Sequence, residues 1–197
     1  MKKVLFTIAA VCFVTISSAK WTPVGNEIKT PWAAEVRPEN VHKEYPRPQM
    51  VRQRWENLNG LWDYAITNVN AEKFTAEGQI LVPFAVESAL SGVGRRITKE
   101  NTLWYEREFT IPSSWKGKNI ILHFGGVDWK SEVFVNGECI GEHKGGFDPF
   151  SFDITPYLKK SGIPAILAGI LTQLMLWSVN LLVMGGKANI PLSRFKY

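Results

Sequence analysis

The stretch WKSEVFVNGECIGEH (129–143) has Asn136-Gly137 at its centre, and that pair constrains the chain more than any other feature. Both residues tolerate positive φ, as a two-residue β-hairpin demands, and apolar-rich runs flank them. Upstream, NTLWYEREFTIP (101–112) alternates, with Leu103, Tyr105, Phe109 and Ile111 on one face and Trp104, Glu106, Glu108 and Thr110 on the other. SSWKGKN then makes a turn, and NIILHFGGVD (119–128) turns Ile120, Leu122 and Phe124 inward. In WENLNGLWDYAI (55–66) the face carrying Trp62, Tyr64 and Ile66 is the buried one. Short strands with Gly and Pro punctuation and no convincing helix predict an all-β chain, a two-sheet β-sandwich or jelly roll.

HKGGFDPFSFDITPYL (143–158) follows the hairpin. Gly145-Gly146 lets the chain fold over the sheet edge, and Phe147, Phe150 and Phe152 are expected to plug the sandwich end. SFDI should be one more strand. Asp153 should cap a turn at Thr155-Pro156-Tyr157, where the missing N–H of Pro156 carries no penalty.

Ahead of the strands, residues 20–50 hold Pro23, Pro31, Pro38, Pro46 and Pro48 and no hydrophobic period, which reads as an extended arm over a surface. The first 19 residues place Lys2 and Lys3 before an apolar run, Val4 to Ile16, and small residues Ser17 and Ala19. That is the layout of a secretory signal peptide, and the run is short for a bilayer span of roughly 20 residues. The protein is expected to be exported, to a bacterial periplasm or the extracellular space. Loss of Lys2 and Lys3 lowers the net charge from +5 to +3. The remaining basic residues are scattered, which argues against nucleic acid as a partner. Cys12 leaves with the signal, so Cys139 has no intrachain partner, and His42, His123 and His143 stand at unrelated spacings. Neither a metal nor any other cofactor is expected.

Together these segments resemble the N-terminal sugar-binding domain, galactose-binding-domain-like, of glycoside hydrolase family 2, the β-galactosidase and β-glucuronidase family. NLNGLWDYAI is similar to the family's first core strand and VPFAVES to its apolar-Pro corner. The run from Thr102 to Leu158 resembles the family's central block. Its structural motif comprises Trp104, Tyr105 and Arg107 on a strand, the Asn136-Gly137 hairpin, and the corner Gly145, Gly146, Pro149, Phe150 and Asp153. The resemblance covers about residues 46–160 and sets a sandwich over 51–162.

It implies that an immunoglobulin-like domain and a (β/α)8 barrel follow in the same chain, packing on the sandwich. The barrel's two glutamates would hydrolyse a β-galactoside or β-glucuronide with retention, which needs carboxyl groups about 5 Å apart. A barrel takes about 250 residues, more than this chain holds, so no catalytic residue is assigned within it. Glu106 and Glu108 share one strand face about 7 Å apart and read as solvated charges. Asn26-Glu27 mimics the family's Asn-Glu pair but has no strand before it.

A carbohydrate partner needs aromatic faces and planar polar groups. Trp104, Trp115 and Trp129 offer the first, and Arg95, Arg96, Asp128 and Glu142 the second. The resemblance adds the loop ESALSGVGRR (87–96) as the one that approaches the barrel's sugar subsite. The candidate contacts are Ser91, Arg95, Arg96 and Trp129, against a reading in which the tryptophans are core or interdomain contacts. The chain is thus either the scaffold portion of a β-glycosidase without its barrel, or a stand-alone carbohydrate-binding module.

The resemblance stops near Gly162. From Ile163 to Gly186 there are 24 residues without a charge and without valine-rich alternation. Three readings stay open for 163–197: a membrane segment, which would make this a membrane-anchored interaction domain; a divergent sandwich strand with a tail; or the product of a reading-frame shift. The first and third leave the sandwich incomplete at its C-terminus.

Overall fold

A computed structural model describes residues 21–26, 28–44, 53–69, 71, 75–159 and the strand backbones at 165–171, 175–176 and 179–184. The expected signal peptide lies outside these residues, as do Pro46, Pro48 and Glu27. Among the described residues, twelve strands form two antiparallel layers and a small accessory pair. They are β1 (Trp55–Asn57), β2 (Gly60–Asn68), β3 (Gly78–Val82), β4 (Asn101–Phe109), β5 (Asn119–Phe124), β6 (Val127–Asp128), β7 (Lys130–Val135), β8 (Glu138–Lys144), β9 (Phe150–Asp153), β10 (Ala165–Leu171), β11 (Met175–Leu176) and β12 (Val179–Met184). One sheet runs β3-β2-β4-β10-β7-β8, the other β1-β12-β5-β9, and β11 pairs with β6.

Alternation decides which side of each strand meets the other sheet. Leu103, Tyr105, Phe109, Val133 and Val135 project inward from the larger layer, Ile120, Leu122 and Phe124 from the smaller, and all are buried. Removing each such side chain from water contributes about 1.5–3 kcal/mol. Trp62 joins them, its indole N–H donating to Leu58 O at 2.8 Å and its ring edge-on to Tyr105 at 6.4 Å. Burial raises the Tyr105 phenol pKa well above its ordinary value.

The hairpin at Asn136-Gly137 forms between β7 and β8, with φ of 53° and 85° at the two positions. Asn136 also donates from Nδ2 to Tyr157 O at 2.7 Å, tying the hairpin to the turn after β9. That turn, Thr155–Tyr157, opens as the sequence suggests: Thr155 N–H donates to Asp153 Oδ1 at 2.9 Å. Phe150 stacks between Phe124, at 4.7 Å, and His143, at 4.0 Å, with Phe152 edge-on at 5.7 Å. Phe147 does not join this plug. It is 91% exposed, because the glycine corner turns the chain outward before β9 begins.

Both layers extend past residue 162, the bound expected for the sandwich. Strand β10 lies between β4 and β7 and is hydrogen-bonded to both, and β12 lies between β1 and β5. Both layers are continuous through these two strands. Among the described residues no helix is long and apolar enough to cross a membrane.

Candidate functional site

The loop 87–96, expected to carry sugar contacts, is built from the inside by Ser91. Its hydroxyl donates to Val86 O and Ser88 O, at 3.0 and 2.8 Å, and accepts from Val93 N at 3.0 Å. Ser91, one of the expected sugar contacts, is fully buried, and its hydroxyl shapes the loop. Arg95 and Arg96 are exposed on that loop. Arg95 pairs with the Glu77 carboxylate, which also accepts from Ile66 N at 3.0 Å.

The N-terminal arm clips this loop from outside. Val24 N–H donates to Ala89 O at 3.0 Å. The Trp21 ring lies where a Cβ on Gly92 would sit, 2.7 Å away, and Val24 Cγ2 lies 2.8 Å from the corresponding point on Gly94. Both glycines have positive φ, 81° and 63°, so backbone shape and contact demand the same residue. Trp21→Ala is expected to loosen the loop and raise the rate of tryptic cleavage at Arg95-Arg96. A lost contact of about 1.4 kcal/mol corresponds to about tenfold. Limited proteolysis of the two proteins side by side measures it.

Trp129 sits elsewhere. Ile66, Leu103, Leu171 and Ser131 form one cross-strand row through β2, β4, β10 and β7. Arg95 is tethered beside its first member, and Trp129 precedes the last by two residues. Three strand spacings, about 14 Å, separate those ends. The candidate contacts are therefore split between two places.

Trp129 is 47% exposed at the β6–β7 connection. Gly145 N–H donates to Trp129 O at 2.7 Å, which holds the β8–β9 corner against it. Gly146 packs on Asp128, Pro149 is exposed, and Phe150 and Asp153 begin and end β9. Trp115 is buried in the core. Trp104 is half-buried and donates from Nε1 to Thr67 Oγ1 at 2.8 Å.

Glu106 faces Asp63 across β4–β2, a pairing invisible without the register. Asp63 Oδ1 accepts from Gln79 Nε2 at 3.2 Å. Burial, and then the Asp63 charge, raise the Glu106 carboxyl above its usual range. Its stabilising effect is therefore complete at low pH and lost as pH rises through the raised value, where a second negative charge appears opposite Asp63. Glu106→Gln is expected to stabilise the fold at pH 7 by about half a kcal/mol, screened as it is by solvent, with the gain gone below about pH 4. Urea melts at the two pH values check both sign and window. Among the described residues no cluster of His, Cys, Asp or Glu could hold a metal ion.

The model of the family described as "Glycosyl hydrolases family 2, sugar binding domain" matches residues 83–183. The chain belongs to that family. Its match ends inside β12, so the C-terminal strands fall within the family domain. A β-galactosidase of Thermoanaerobacter pseudethanolicus is 46% identical over 65 residues, covering 33% of this chain and 9% of the relative. A β-glucuronidase of Formosa agariphila is 41% identical over 58 residues, covering 29% of this chain and 6% of the relative. Among solved structures, the Lactobacillus rhamnosus β-glucuronidase superposes with a TM-score of 0.56 at 23% identity, over 71% of this chain and 30% of that one. That likeness shows the all-β sandwich fold. This family 2 domain thus corresponds to a small fraction of the length of the relatives it matches.

Proposed function

We propose that the chain is the N-terminal sugar-binding and scaffold portion of an exported, retaining β-glycosidase of β-galactosidase or β-glucuronidase type. The single observation that supports this is the family match over 83–183, joined to relatives of which the chain spans under a tenth. The family's reaction needs two carboxyl groups about 5 Å apart across a bound glycosidic bond. The Asp63–Glu106 pair lies on the outer face of the larger sheet, opposite the side packed on the other layer, and no catalytic role is assigned to it.

The purified chain is expected to leave p-nitrophenyl β-galactoside and p-nitrophenyl β-glucuronide intact, and hydrolysis at an enzymic rate would overturn the reading. Coding DNA beyond the last codon, read in all frames, should encode an immunoglobulin-like domain and a barrel with two glutamates. A downstream region with neither would leave the stand-alone carbohydrate-binding module. Export rests on Lys2, Lys3, the Val4–Ile16 run and Ser17–Ala19, and a mature product beginning at Lys20 is the expected N-terminal sequence.

A further inference from the structure

We propose that the corner where the β6–β7 and β8–β9 connections meet is a saccharide subsite, with Trp129 as its stacking platform, Phe147 as a second ring and Asp128 as a hydroxyl acceptor. This deepens the carbohydrate side of the function proposed above and rests on it. Two features lock the connections together: the Gly145 N–H to Trp129 O bond of 2.7 Å, and the fit of Gly146 to Asp128, where a Cβ would lie 2.7 Å from Oδ1. Locking the backbone here leaves two large rings in solvent, Trp129 at 47% and Phe147 at 91% exposure, each within two residues of that bond. A single exposed ring is ordinary on a protein surface; two presented by mutually bonded connections make a shaped aromatic edge.

The polar groups beneath favour a hydroxyl-bearing ligand. Ser131 and His143 are direct cross-strand partners on β7 and β8. Ser131 Oγ and His143 Nε2 are both buried, and neither has a hydrogen-bond partner among the described residues. Ser131 is only 1% exposed. The roof over His143 is glycine: even a Cβ built on Gly145 would stand 3.7 Å from Nε2. Buried polar atoms without partners are costly, by about 1–3 kcal/mol each, so an unmet demand for hydrogen-bonding groups stands beside the rings. A pyranose offers both chemistries in one molecule, a C–H face for the indole and a ring of hydroxyls for Asp128. Asp148, exposed on the same β8–β9 connection, adds a charge beside the rings, and charged residues are depleted from the cores of protein–protein interfaces. A saccharide fits such a corner better than a protein does.

The test is titration of the full chain, ¹⁵N-labelled, with methyl β-galactoside and methyl β-glucuronide, following the indole Nε1–H signals. Saturable binding is expected, with a Kd on the order of 1 mM. Trp129→Ala should weaken it about tenfold or more and Phe147→Ala severalfold, while Arg95→Ala leaves it unchanged. Both rings are exposed, so neither variant removes core packing. Binding that survives Trp129→Ala and disappears with Arg95→Ala would move the sugar to the 87–96 loop and overturn the proposal. Absence of saturable binding, with or without self-association that Trp129→Ala abolishes, would also overturn it. The β-glycosidase reading stands or falls separately, on the downstream coding sequence.

Discussion

A chain ended after Gly162 is expected to lose cooperative unfolding altogether. Strand β10 pairs residue by residue with β4 from Phe109 to Leu103 and with β7 from Val135 to Ser131. Its removal divides the larger sheet into β3-β2-β4 and β7-β8, each with a newly unpaired inner edge. Loss of β12 separates β1 from β5-β9 in the smaller sheet. On the order of ten ladder bonds disappear from around β10, at about 1 kcal/mol net each. That equals much of the 5–15 kcal/mol by which a domain is stable. Open edges of this kind also invite pairing between chains, so the shortened protein should aggregate. Urea unfolding of 20–162 beside the full chain decides the matter. An equal midpoint and an equal slope for the short form would mean that residues 163–197 carry none of the fold.

Legibility in the sequence followed period and turn chemistry. The β4 and β5 faces and the Asn136-Gly137 hairpin were readable because one buried face forces strict alternation and because positive φ at two successive positions selects few residues. β10 and β12 were not. AILAGIL and VNLLVM lie in near-continuous apolar runs, which periodicity alone does not tell apart from a buried helix. The position of both strands between earlier strands is a long-range fact without a local signal. Trp115 and Trp129 looked equivalent as stacking candidates, yet one is core and the other half-exposed. Only the fold sorts them. Ser91 is ambiguous for a different reason: a loop hydroxyl reads the same whether it meets a ligand or its own backbone. The Ser131–His143 pair carries no local signal, because the two stand twelve residues apart and meet only through the β7–β8 register.

Arg107→Leu is expected to destabilise the sandwich by about 2–3 kcal/mol, and by more at pH 7 than at pH 4. The guanidinium donates to Leu58 O at 2.7 Å and, more weakly, to Leu61 O at 3.4 Å, and its carbon stands 5.9 Å from the Trp62 ring centre. A hydrogen bond from a charged donor contributes about 1.5–3 kcal/mol, and a cation over an indole about 0.5–1. Lysine offers one compact charge in place of the planar guanidinium over the Trp62 ring, so Arg107→Lys should recover only part of the loss. The pH dependence comes from Glu56 on β1. Burial raises its carboxyl, while Arg107 and then Lys43 oppose that rise. Without Arg107 the folded-state value climbs further. A carboxyl raised in the folded state does no harm below its unfolded value, and stability falls as pH rises through the folded value. The leucine variant should therefore lose stability between those two points, and Glu56→Gln added to it should remove the slope. Urea melts of the single and double variants at both pH values give the coupling directly; a loss independent of pH would show that Glu56 does not interact with the guanidinium.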